Sequence, residues 1–186
     1  MMRVQFHKTS SRSYAIVVIR SGAEDLRMDS APGYDELMPH DLQHFIVEQA
    51  LGIQLGIFGQ LAVGGTANTF HRQAVQPDRQ QKRTNRRLKK QGEVLLRAGY
   101  EQSMRSERAT YISLFNWLSA SNDPILRKRA AEMAETARSI FLQLSEQEKK
   151  SYTPAVIAVI NERMDELSHQ WRTAKVGEYI ELVWPS

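Results

Sequence analysis

The spacing of apolar residues changes period twice along the chain, and those changes define its elements. Val4 to Lys8 (VQFHK) and Tyr14 to Arg20 (YAIVVIR) are rich in β-branched and aromatic residues around a polar turn, which predicts an antiparallel hairpin. The second run is almost continuously apolar, so it is expected at the middle of a sheet, covered on both faces. Glu24 to Met28 reads as a candidate for a short third strand, and Asp29 to Tyr34, with Pro32-Gly33, ends regular structure.

From Pro39 the period becomes helical. Leu42, Phe45, Ile46 and Ala50 share one side of a helix that starts at or near His40, with Pro39 suited to its first turn. Leu51 to Gly65 is apolar and punctuated by Gly52, Gly56 and Gly59; it reads either as a helix in close approach to another or as a bent loop. Thr66 to Gln76 reads as a loop. Past Tyr100, Ile112, Phe115 and Leu118, with Met104, Tyr111, Leu114 and Trp117, predict the inward face of a helix ending near Ser119 to Asp123.

Asp123-Pro124 is a cap followed by a first-turn proline. The helix after it is expected to bury Leu126, Ala130, Met133, Ala137, Ile140, Phe141 and Leu144. Ser145 to Glu148 has capping-box spacing. Thr153-Pro154 opens a last helix to about Arg172, with Val156, Val159, Ile160, Met164, Leu167 and Trp171 inward. Glu178 to Trp184 (EYIELVW) then alternates with period two, and a lone strand must pair elsewhere, most simply with the N-terminal hairpin. The expected fold class is α+β. A small, mostly antiparallel sheet, made of the N-terminal hairpin and the C-terminal strand, packs against a helical bundle in a single domain, 1–186.

Composition narrows the function classes. The chain has 186 residues, 41% hydrophobic and 25% charged, the profile of one soluble domain with a real core. It has no cysteine, which excludes disulfides, thiolate metal sites and a cysteine nucleophile. No leader-like or bilayer-length apolar run is present, so a cytoplasmic location with no membrane partner is expected. There is also no P-loop, dinucleotide-binding glycine fingerprint or nucleophile elbow.

The net charge of +4 is unevenly placed: cations concentrate between Arg72 and Arg97. This basic segment, 72–97, is expected to protrude or to lie on a polyanion, because apolar residues are nearly missing until Val94 and Leu95. Arg83, Arg86, Arg87, Lys89 and Lys90 are the candidate nucleic-acid contacts, although no recognised binding motif or stacking aromatic accompanies them.

Chemistry concentrates in Met38 to Leu51, MPHDLQHFIVEQAL. On a helix His40, Asp41, His44 and Glu48 fall within about one third of the circumference. Imidazoles at i and i+4 present nitrogens from adjacent turns, and carboxylates on the same face add hard ligands or proton acceptors. His40, Asp41, His44 and Glu48 are therefore candidate ligands of a divalent metal, zinc first, with His71 from the later loop as a further ligand. The competing readings are metal-free acid/base catalysis and a structural cluster in which Asp41 complements the helix dipole. The HDxxH spacing differs from the HExxH of metalloproteases, since Asp41 has a shorter arm and Pro39 puts His40 in the first turn.

His40, Asp41 and His44 resemble the first three positions of the helical metal motif of a ubiquinone-biosynthesis family. That motif's fourth member, a Glu, falls here on Gly56. The wider HDLxHFxVE core, hairpin start and Trp-Pro ending resemble a family of bacterial proteins without an assigned activity. The resemblance implies a metal site in a helical setting and no particular substrate. Three function classes follow: a metal-dependent hydrolase or lyase, or a degenerate relative; a nucleic-acid or polyanion binder; and a non-catalytic interaction protein.

Overall fold

A computed structural model of the chain describes residues 1–22, 24–67, 69–72, 90, 92–95 and 97–185. The first and last strands are neighbours. β1 (Met2–Ser10) pairs antiparallel with β2 (Ser13–Arg20) on one side and with the final strand, β5 (Tyr179–Trp184), on the other. β3 (Leu26–Met28) and β4 (His71–Arg72) extend the sheet beyond β2, giving the order β4-β3-β2-β1-β5. Every pairing among the described residues is antiparallel.

The alternation in β5 has the expected result: Ile180, Leu182 and Trp184 are buried while Tyr179, Glu181 and Val183 are not. β2 does lie centrally, but Val17 and Ile19 on its second face are only half-buried. Two residues of the expected 66–76 loop, His71 and Arg72, form β4 instead.

Six helices are labelled in chain order: α1 (His40–Ala50), α2 (Ile57–Ala62), α3 (Tyr100–Ala120), α4 (Pro124–Gln143), α5 (Glu146–Ser151) and α6 (Pro154–Thr173). Helical backbone is also present at 92–95 and 97–98, just before α3. The inward face of the sheet shares one core with α1, α2, α3 and α6. Phe6, Phe45, Phe58 and Trp184 meet there from β1, α1, α2 and β5, with ring centroids 5.0–6.3 Å apart. Each such ring contributes about 2–3 kcal/mol through burial, so this cluster fixes α1 against the sheet.

Local signals read from the sequence set the helix ends. The Asp123 carboxylate accepts from Ile125 N–H at the start of α4, Ser145 and Glu148 form a complete capping box on α5, and Thr153 caps α6. Arg20, at the end of β2, donates to the carbonyls of Glu24, Leu61 and Gly65, which ties the sheet to the end of α2. Among the described residues no helix is long and apolar enough to cross a membrane.

Three expected core positions differ. Phe141 on α4 and Val159 on α6 are exposed, and Met104 on α3 is 38% exposed. For α4 the reason is its peripheral position: it packs chiefly on α3 and leaves an open cavity of ≈ 400 Å³ lined by Ile112, Phe115, Ala137, Phe141 and Tyr152.

Candidate metal centre

α1 starts where the chain demands. Pro39 has no N–H to satisfy, its carbonyl accepts from Leu42 and Gln43, and the His40 N–H is taken by the carbonyl of Gly33 (3.0 Å). Gly33 has φ +76°, and a Cβ there would stand 2.7 Å from that of His40. Glycine is therefore required for the loop to seat His40. The helix that follows is the middle layer of the molecule, with the sheet on one side and α3 on the other. Asp41 through Glu48 are consequently all buried.

α3 approaches α1 through a stripe of small and polar residues. Ser106, Ala109, Thr110 and Ser113 are each at most 2% exposed, and short side chains let two helices come close. At the solvent edge of this contact three donor groups converge. His44 Nε2 lies 3.1 Å from His40 Nε2 and 3.4 Å from Glu107 Oε2, and His40 Nε2 lies 3.8 Å from the same oxygen. His40, His44 and Glu107 can together hold a metal ion. The His44 side chain is 1% exposed, whereas those of His40 and Glu107 are 48% and 56% exposed, so the group is anchored at its base and open outward.

Electrostatics follow the geometry. The His40 and His44 imidazoles hold the Glu107 carboxyl far below the usual carboxylate range. The Glu107 carboxylate in turn raises His40, against an opposing effect of burial.

The other sequence candidates lie elsewhere. Asp41 turns away from the group toward the Tyr14 hydroxyl, which lies within hydrogen-bond distance of both the Asp41 carboxyl and Pro32 O (2.5 Å) and has one hydrogen to give between them. Burial raises Asp41, opposed by Tyr14 and the imidazoles. Glu48 points toward α2: Ile57 N–H donates to its Oε1 (2.7 Å), Phe58 N–H to its Oε2 (3.0 Å), and the Ser106 hydroxyl to Oε1 (2.7 Å). It is fully buried, and burial raises its carboxyl against those bonds. Asp41 and Glu48 thus lie outside the His40, His44 and Glu107 group, each a buried acid with partners of its own.

His71 pairs through its backbone with Arg27 at the sheet edge, is exposed, and does not belong to the group. Gly56 shows why the fourth motif position cannot be acidic here: a Cβ on it would sit 2.2 Å from Glu48 Oε1. Glu48 fills the space a side chain at 56 would need. Of the basic candidates, Arg83, Arg86, Arg87 and Lys89 lie outside the described residues, and Lys90 is helical and exposed.

Glu107 was not among the sequence candidates. It is distant in the chain from His40 and lacks a motif. The available signal was indirect: Ser103, Ser106, Thr110 and Ser113 repeat at helical spacing beside it, marking a polar face that a purely apolar stripe on α3 would not have.

No protein family, curated protein or solved structure matches the chain. The site therefore stands on its geometry and the chemistry of its donors.

Proposed function

We propose that this protein is a divalent-metal hydrolase whose ion, zinc first, is held by His40 Nε2, His44 Nε2 and a Glu107 oxygen. One observation carries the reading. Ligands about 2.0–2.1 Å from a tetrahedral zinc stand about 3.3 Å apart, and the three edges here measure 3.1, 3.4 and 3.8 Å. The donor set is two imidazoles and one carboxylate, with the remaining side open to solvent. Structural zinc sites are closed by four protein ligands, whereas three ligands and an open position characterise catalytic ones. An ion there would supply a Lewis acid and a water of lowered pKa.

The chain's own residues have distinct parts in this reading. His44 is the buried fixed point, while His40 and Glu107 close the site from α1 and α3. Asp41 and Tyr14 brace the first turn of α1 against the 32–33 loop. The resemblance at His40 and His44 supports a helical metal site, with Asp41 turned to Tyr14 and Glu107 in place of the acid that Gly56 does not supply.

Elemental analysis of protein purified without a histidine tag is the test, paired with hydrolysis of nitrophenyl esters and phosphoesters after loading with zinc, manganese or cobalt. One equivalent of metal is expected, lost in His40→Ala and Glu107→Ala. No bound metal after loading, with melting unchanged by EDTA, would overturn the reading.

A further inference from the structure

We propose that Ser106 and Glu48 are positioning residues that hold His44 in the tautomer protonated at Nδ1. They thereby aim an unprotonated Nε2 at His40 and Glu107 and select a nitrogen-preferring transition-metal dication over Mg²⁺ or Ca²⁺. This rests on the metal reading above and adds a direction of proton placement and a class of ion.

The direction comes from counting hydrogens. Both Glu48 oxygens already receive hydrogens that can only be donated, from Ile57 N–H at 2.7 Å and Phe58 N–H at 3.0 Å. With a pure donor already on each oxygen, the form that satisfies every neighbour is the one in which the carboxyl accepts at each position, so the Ser106 hydroxyl, 2.7 Å from Oε1, places its single proton there. What Ser106 Oγ then offers His44 Nδ1, at 2.8 Å, is a lone pair. Nδ1 must carry the hydrogen, and Thr110 Oγ1 at 3.2 Å is a second acceptor for it. The reverse chain would need a proton on a Glu48 oxygen that is already accepting an amide hydrogen.

The consequence appears at the other side of the ring. On a neutral ring protonated at Nδ1, Nε2 is a lone pair facing the Glu107 carboxylate at 3.4 Å and His40 Nε2 at 3.1 Å. A bare Nε2 and the Glu107 carboxylate oxygen repel at that distance unless a cation or a proton, such as one on His40 Nε2, lies between the three groups. A fully buried carboxylate acting through Ser106 on Nδ1–H also makes Nε2 a stronger donor. That is the usual way outer hydrogen-bond partners orient a metal-binding histidine and tune it. Imidazole nitrogen suits zinc and its transition-metal neighbours, while Mg²⁺ and Ca²⁺ prefer oxygen. Glu48 also opens α2 through Ile57 and Phe58, so one carboxylate sets the ring and the neighbouring helix together.

Nitrogen-15 spectra of the histidine rings in metal-free protein, followed by zinc titration of variants, form the test. His44 is expected to show a protonated Nδ1 and a bare Nε2 at neutral pH. Ser106→Ala should retain the wild-type circular dichroism and weaken zinc about 10- to 100-fold, Ser106→Thr should restore binding, and millimolar Mg²⁺ or Ca²⁺ should not displace zinc. A proton on Nε2, or unchanged zinc affinity in Ser106→Ala, overturns the positioning role. Displacement by Mg²⁺ overturns the selectivity. Zinc uptake that is undetectable in the wild type overturns the metal reading instead, and the ring spectrum, recorded without metal, still decides the tautomer.

Discussion

α1 and α4 carry apolar stripes of the same period and differ completely in what surrounds them. α1, eleven residues long, buries eight, three of them ionisable. α4, twenty residues long, buries only Ala130 and Ala137. The first lies between the sheet and α3; the second leans on α3 from outside. Periodicity reports which side of a helix turns inward, and the number of layers on either side decides how much of it is buried. Only a helix enclosed on both sides forces polar residues such as Glu48 and His44 to find every hydrogen-bond partner within the protein.

This contrast is open to direct attack. Phe45→Ala should cost about 4 kcal/mol in urea unfolding, because the ring sits among Phe6, Phe58 and Trp184. Phe141→Ala on α4 should cost about 1 kcal/mol or less, since that ring is 42% exposed. Equal losses would show that α4 is as well packed as α1.

A smaller effect is expected from Gly56→Ala, about 2 kcal/mol, because its methyl group would displace the Glu48 carboxylate. Its melting temperature should fall accordingly, while Glu135→Gln on the exposed side of α4 should move stability by about 0.5 kcal/mol at most.

Smaller than the Gly56→Ala effect is that of the capping box beside α4. Ser145→Ala should cost about 1 kcal/mol by denaturant titration. Glu148 belongs to the same box, and its pH dependence has a definite sign. Burial would raise it, but bonds from Arg108 and Ser145 bring the carboxyl from 4.5 down to about 2. A carboxyl lowered on folding stabilises above its unfolded value and loses that contribution as pH falls through the folded one. Stability attributable to Glu148 should therefore be complete above pH 4.5 and vanish toward pH 2, and Glu148→Gln should show a shallower acid slope in that window.

The fold was legible because its signals are local. Alternation in EYIELVW, the Asp123-Pro124 and Thr153-Pro154 starts and the Ser145 box all depend on neighbours in the chain, and each appears where the spacing put it. Two of the three residues of the candidate site were legible for the same reason: His40 and His44 are one turn apart on one helix. Glu107 was not, since its place depends on how α3 crosses α1. Asp41 and Glu48 misled because angular position on a helix specifies a sector and says nothing about what waits there. Tyr14 took one carboxylate, and the start of α2 took the other.

The pairing of β1 with β5 has a consequence for how the chain is made. β1 is synthesised well before β5, so during synthesis β1 holds one edge without a partner, and Phe45 and Phe58 lack the indole of Trp184 that later covers them. An open strand edge beside uncovered aromatics is a template for pairing with another chain. A ribosome stalled before Tyr179 would release a product disposed to aggregate, and β5, which takes over the sheet edge, is the strand that covers those aromatics.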